Sequence, residues 1–334
     1  MRVTPIRLAV VLTVLAVALA MSLLAGLTLG AVKIPPGQVW DWVLGRAPDG
    51  PAGVILARFR WPRLALAGFI GAALGMSGVV FQGVLRNPLA EPFILGVSGG
   101  AAAGAVLGLA AGISGTLPLA GLAFLGSLST TVLVLGLSRR GGDLDVSTLL
   151  LTGVMVNAFF SSVIMFVVSI SEGEKIHAIM FWLYGDLGAA ALDQTRLLAP
   201  LALASGILMF LYSRQLNLLG AGDLAAAALG VKVERTKLVL FLTVSVLCGA
   251  AVSLGGLIGF VGLIVPHIVR LTLGHDHRLL LPAAGMFGAV FLILADTAAR
   301  VVLSPAQLPV GVVTAFLGAP FFLLLLSRKS GRWW

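Results

Sequence analysis

Apolar residues along this 334-residue chain fall in long blocks, not in strand-like alternation or narrow heptad seams. The blocks lie at about 8–30, 64–84, 93–112, 117–138, 148–170, 195–213, 238–256, 257–273, 279–302 and 309–327. A helix needs about 20 apolar residues to cross a bilayer, so the pattern predicts about ten transmembrane helices. The fold class expected is an all-α polytopic membrane protein, one domain over residues 1–334. Ser253–Gly256 sits inside a continuous apolar stretch, so the division between the seventh and eighth blocks reads as either a tight turn or a kink. Ala18-Leu19-Ala20 matches a signal-peptidase pattern, but the first block continues ten residues beyond it, which predicts an uncleaved first helix.

Three polar interruptions carry information. Residues 33–63 hold Trp40, Trp42 and Trp61 among prolines and charges, a composition suited to a bilayer interface. Asn87-Pro-Leu-Ala-Glu-Pro92 joins the second and third blocks, and its prolines enforce a non-helical connection. Irregular backbone near membrane depth is tolerated against protein or a water-filled cavity, so this stretch is expected to border a pathway. The third interruption, 216–237, reads LNLLGAGDLAAAALGVKVERTK and predicts two short helices joined at a glycine. Asp223 suits a helix start and Gly230 a helix stop, while Leu218, Leu219, Leu224, Ala228 and Leu229 supply an apolar face. Displayed between membrane blocks, it is expected to dock another protein.

Composition supports the membrane reading: 59% of residues are hydrophobic and 10% charged, too few to cover a water-facing surface of this size. The net charge of +9 does not call for nucleic acid, because the positive residues cluster at block ends. With the N-terminus inside and ten crossings, fourteen basic residues fall inside (Arg2, Arg7, Arg86, Arg139, Arg140, Arg214, Lys232, Arg235, Lys237, Arg270, Arg278, Arg328, Lys329, Arg332) and eight outside. That excess places both termini and 216–237 in the cytoplasm. Small residues recur at the same spacing in Gly71–Gly78 and Gly249–Gly256, in blocks of opposite direction, as an inverted repeat would require.

Candidate chemistry is sparse. No Walker-type loop, H-E-x-x-H, G-x-S-x-G or cysteine cluster occurs, which argues against an enzyme, a metal site and a bound cofactor. Asp296 is the most suggestive charge near membrane depth, and Arg300 at i+4 predicts a structural ion pair rather than a proton relay. With no second deep acid recognised, a proton-coupled secondary transporter is the disfavoured alternative. His275-Asp276-His277 reads as a solvated loop. Cys248, the single cysteine, reads as a small buried side chain.

Three long stretches, 60–104 around RWPRLALAGFIGAALGMSGVVFQGVLRNPLAEPFILGVSGG, 255–282 around GGLIGFVGLIVPHIVRLTLGHDHRLLLP and 295–322 around ADTAARVVLSPAQLPVGVVTAFLGAPFF, resemble the FecCD family, permease subunits of ABC importers for iron chelates, haem and cobalamin. The resemblance implies a type II ABC importer permease fold in an inner membrane, paired with a second copy around a central path. It further implies two ATP-binding subunits below, which hold the ATP and Mg, and a periplasmic substrate-binding protein above. Carried over by position, Leu218, Leu219, Gly222, Asp223, Leu224, Leu229 and Gly230 correspond to the ATPase-coupling segment. Arg60, Arg63 and Arg300 correspond to outer arginines that receive acids of the binding protein. Asn87, Pro88 and Leu89 correspond to the cytoplasmic gate, with Ser147 and Thr148 as their partner. The residues 154–166 and 311–322 would line the path. An iron chelate is the first expectation for the cargo and cobalamin the alternative. Gln307 departs from the family, which usually has an acid there.

Overall fold

A computed structural model describes residues 4–46, 50–140 and 143–327; Arg2, Arg328, Lys329 and Arg332 of the charge count lie outside these. The chain begins with α1 (Pro5–Thr28) and a short outer helix α2 (Pro36–Val43). α3 (Ala52–Val54), a π-helical stretch (Ile55–Arg60) and α4 (Trp61–Leu85) then run on as one 34-residue rod. A 3₁₀ turn at Pro92–Leu95 leads into α5 (Val97–Ala110), followed by α6 (Thr116–Leu137). A two-residue antiparallel ladder pairs β1 (Arg139–Arg140) with β2 (Asp143–Leu144). Next come α7 (Val146–Ser169), α8 (Gly173–Leu183) and α9 (Leu192–Leu211). The short α10 (Ser213–Leu219) and α11 (Asp223–Ala228) precede α12 (Val233–Gly255), α13 (Val261–Leu273), α14 (His277–Val301) and α15 (Val310–Ser327).

All ten apolar blocks are helices, but they are not equal. Among the described residues seven helices are long and apolar enough to cross a membrane, while α5, α13 and α15 are the shorter apolar ones. At 1.5 Å per residue α5 and α13 span only about 20 Å against a hydrocarbon core of about 30 Å. The ten expected apolar helices are thus all present, seven of them long and three shorter, and irregular backbone precedes both α5 and α13. Ser253–Gly256 resolves as a true turn: α12 stops at Gly255, Gly256 takes φ 73°, and the chain is non-helical until α13 starts at Val261.

The packing sorts the connections into two ends. At one end the Arg7 guanidinium donates to the Leu273 carbonyl at 2.8 Å, tying the start of α1 to the end of α13. At the other, Lys175 donates to the Ala110 carbonyl at 2.9 Å and Arg300 to that of Gly26 at 3.1 Å. These pairings match the inside–outside alternation drawn from the charge count. The core is centred on α4, whose row of small residues permits backbone approach: a Cβ built on Gly78 would stand 1.9 Å from the Gly262 carbonyl oxygen of α13. By contrast α7 is mostly uncovered, with Met155, Phe159, Met165 and Phe166 exposed, as are Phe316, Leu317, Leu323 and Leu324 on α15.

Candidate functional site

The outer cluster is built inward, not outward. Arg60, Arg63 and Arg300 are only 5%, 6% and 7% exposed, which corrects their reading as exposed contacts for a partner. The cause is the early start of the second apolar helix: residues 52–63, part of the polar segment before the second block, form helix with a π-helical stretch. π-helical turns re-aim side chains, and here Arg60 donates to the Leu27 and Val32 carbonyls at the end of α1. Arg63 Nε donates to Asp296 Oδ1 at 2.8 Å and its Nη1 to Gln307 Oε1 at 2.7 Å. Asp296, fully buried, lies 3.2 Å through Oδ2 from Arg300 Nε, the i,i+4 pair expected. One carboxylate thus sits between two guanidiniums, those of Arg63 and Arg300. Gln307 supplies an oxygen where an acid would have supplied charge. Lys33 and Arg58 are the outer cations left exposed without an ion pair among the described residues.

About two turns from the end of α4 that Leu85 closes, the two non-helical breaks meet. Glu91, which precedes the 3₁₀ turn, accepts from the backbone N–H of Phe260 at 2.9 Å, at the start of α13. Gln82 donates to the Gly262 carbonyl at 3.4 Å, and Gly78 abuts the same carbonyl. This level is about 10 Å above the inner end of α4, counting 1.5 Å per residue back from Leu85. Glu91 is therefore a second deep acid, contrary to the expectation that Asp296 stood alone. With Asn157 and Ser161 it lines a cleft beside the uncovered face of α7. Sequence reading placed Glu91 in a connecting motif, and an acid before Pro-x-x-Leu-Gly was the signal available. Replacement by Gln keeps the acceptor and should leave thermal unfolding in detergent unchanged; replacement by Ala orphans the Phe260 N–H and should destabilise by about 1–3 kcal/mol. Equal melting of both variants would remove this capping role.

The expected gate residues are held by local turns. Asn87 Oδ1 accepts from Leu89 N at 2.9 Å, after Arg86 closes α4 in the left-handed region. Asn87 and Leu89 are exposed and Pro88 partly so. Ser147 is exposed, and Thr148 N donates to Asp145 at 2.8 Å, capping α7.

At the inner end α10 and α11 form two short helices with Gly220–Gly222 between them. Gly222 takes φ 109°, a turn that only glycine adopts cheaply, and Asp223 opens α11. Asp223 pairs with Lys237 at 2.5 Å and approaches Arg86 at 3.9 Å, anchoring the turn to α12 and α4. Leu224 is 89% exposed and Leu229 62%, whereas Leu219 is 1% exposed. The apolar face is thus split: Leu224 and Leu229 point outward, Leu218 is partly covered, and Leu219 belongs to the core, so it cannot itself touch a partner. Gly230 (φ 84°) ends the turn after α11.

The histidine loop, expected to be solvated, is so only in part: His275 and Arg278 are exposed while His277 is buried. Asn217 of α10 donates through Nδ2 to Asp276 at 2.8 Å and accepts through Oδ1 from His277 N at 2.9 Å. The same oxygen lies 2.7 Å from His277 Nδ1, so the ring donates through that nitrogen. Asp276 also accepts from Arg278 N, capping α14. Partial burial first, and the Arg270 charge second, hold the neighbouring His275 below the ordinary histidine range. Adjacent charged and aromatic letters concealed that α10 packs against this loop.

Comparison with known proteins gives this arrangement its class. The FecCD transport family matches residues 14–328, and the chain belongs to that family. It is 39% identical to the hemin transport system permease protein HmuU of Yersinia pestis over 98% of this chain and 97% of the relative. It is 42% identical to the cobalamin import system permease protein BtuC of Halobacterium salinarum over 84% of this chain and 75% of that protein. A solved structure of a metal-chelate type ABC transporter in an inward-facing conformation superposes with a TM-score of 0.86 at 31% identity, covering 95% of this chain and 98% of its own. The chain is a multi-pass ABC transporter permease with a type II importer fold, a non-enzymatic component of its transport system.

Proposed function

We propose that this permease forms a homodimer in the inner membrane and carries an iron chelate, ferric siderophore or haem, inward by alternating access. The observation that carries this reading is the inner turn: Leu224 and Leu229 are exposed on a stretch anchored to the membrane body by Asp223, Lys237 and Asn217. A chain without a nucleotide-binding loop needs such a handle for two separate ATP-binding subunits. ATP-driven closure of those subunits would move α10–α11, and the ties to α4, α12 and the α13–α14 loop would pass the motion to the breaks around Asn87–Glu91 and Phe260. The exposed apolar faces of α7 and α15 suit a second copy, the two chains enclosing a path of Val, Met and Phe side chains that holds a bulky chelate weakly. Both termini and the gate residues Asn87, Pro88, Leu89, Ser147 and Thr148 are then cytoplasmic.

A periplasmic binding protein would approach the opposite end. There the buried Arg60–Arg63–Arg300 cluster sets the shape and the field of the surface, and exposed Lys33 and Arg58 offer direct, salt-sensitive contacts to acidic side chains. Haemin and cobalamin permeases are similar to this chain to nearly the same degree, so cobalamin is the second reading. Proton coupling is disfavoured by family membership, since the discovery of Glu91 removes the argument from missing acids. The test is uptake into proteoliposomes holding this permease and its ATPase, with the cognate binding protein loaded with ferric siderophore, haemin or cobalamin. Uptake of an iron chelate that requires both ATP and the ATPase is expected. Uptake by this chain alone under a pH gradient would overturn the proposal.

A further inference from the structure

Behind the inner turn lies a cavity of about 360 Å³ whose lining includes Tyr212, Arg214, Gln215, Lys232 and Arg235. Three cationic side chains converge there, and no acidic residue lines it. Among the described residues none of the three has an ion-pair partner, in contrast to Lys237 on the next turn, which is held by Asp223. The 23-residue α12 begins beside the cavity, with Lys232 as its N-cap making no side-chain capping bond and Glu234 in its first turn but outside the lining. A concentration of positive charge beside an aromatic hydroxyl is the chemistry of a phosphate receptor.

The positive-inside tendency would place cations at this end of the molecule but does not require them to share one cavity. An apolar stripe approaches the cavity from the bilayer side: Leu203, Ile207 and Leu211 of α9, one face at i, i+4 and i+8, are 61%, 62% and 67% exposed, and the stripe ends one turn before Arg214. Tyrosine at the junction suits the headgroup level. We infer that this cavity binds the headgroup phosphate of an anionic phospholipid of the cytoplasmic leaflet, with the acyl chains lying along α9. The inference rests on the topology proposed above, which puts this end at the anionic leaflet. Its consequence is that a lipid would be seated against Leu229 and Gly230, directly behind the coupling turn.

The experiment uses the full purified permease in detergent, read by native mass spectrometry as lipid is added. Phosphatidylglycerol should be retained at least about tenfold more tightly than phosphatidylcholine, since each basic residue near an anionic headgroup contributes measurably. Substituting Arg214→Gln, Lys232→Gln and Arg235→Gln together should remove that preference while leaving the melting temperature unchanged, the three side chains being exposed. Glycerol phosphate, a headgroup without tails, should compete only weakly. Equal retention of the two lipids by the wild-type chain would overturn the site, as would a triple variant that still prefers phosphatidylglycerol. Competition by glycerol phosphate as strong as by the lipid would reject the lipid in favour of a soluble phosphate ligand. Loss of bound lipid when the ATPase subunit is added would assign the cavity to that partner and also overturn the inference. Because retention is measured without transport, a permease that imports its cargo but shows no lipid preference separates failure here from failure of the proposed function.

Discussion

Leu224→Arg should abolish ATP-driven uptake by this permease while leaving its melting temperature where it was. With 89% of the residue exposed, the substitution touches little of the fold, and surface changes of this kind shift stability by about 0.5 kcal/mol or less. If Leu224 seats in an ATPase cleft, burying a guanidinium there costs what an interface hot spot costs, about 2 kcal/mol or more. A loss of that size lowers coupled uptake at least about 30-fold. The measurement is uptake and ATP hydrolysis by the reconstituted complex, with co-purification of the ATPase as a third readout. Leu219→Arg is the contrast: that side chain is 1% exposed, so the same charge should unfold the inner end of the molecule. Undiminished uptake by Leu224→Arg would show that coupling runs through another surface.

The second large effect concerns the outer cluster. Asp296→Ala should destabilise the permease by about 3–5 kcal/mol, because it leaves Arg63 and Arg300 buried without their shared counter-charge. Reversing Arg60, Arg63 and Arg300 to Glu should likewise prevent folding instead of merely weakening contact with a binding protein, since it would set carboxylates against Asp296 at positions 63 and 300 and against the Leu27 and Val32 carbonyls at position 60. Gln307→Glu tests the same electrostatics with the opposite sign. It places a second carboxylate 2.7 Å from Arg63 Nη1 and should raise the melting temperature. Thermal unfolding in detergent reads all three variants. If Asp296→Ala melts with the wild type, the cluster is not the tie between α1, α4 and α14 that its geometry describes. Docking then needs its own test, for which the exposed Lys33 and Arg58 are the candidates.

Much of the architecture was legible from the chain. Blocks of apolar residues near 20 in length predict membrane helices because the bilayer core leaves a backbone no partner but itself. Glycine and proline punctuated the inner turn and the Asn87–Pro92 connection in advance, and the alternation of connections drawn from the Arg and Lys positions agrees with the two-ended packing. The candidate site was legible in part. Leu224, Leu229, Gly222 and Asp223 stand where the pattern put them, and the Asp296–Arg300 pair follows from i,i+4 spacing. Leu219 misled because hydropathy does not say which way a short helix faces.

What remained hidden was decided by contacts between residues far apart in sequence. Arg60 and Arg63 read as interface charges until the π-helical stretch aimed them at the end of α1 and at Asp296, 233 positions from Arg63. Glu91 became significant when the Phe260 N–H arrived from 169 residues away, and Asn217 when Asp276 and His277 came within reach. Local pattern alone determined the helices, their direction and the polar turn between the sixth and seventh blocks, since those depend on periodicity, block length and flanking charge. The tertiary structure alone decided which charges are internal ties and which face a partner, because burial and pairing are properties of neighbours that a linear chain does not list.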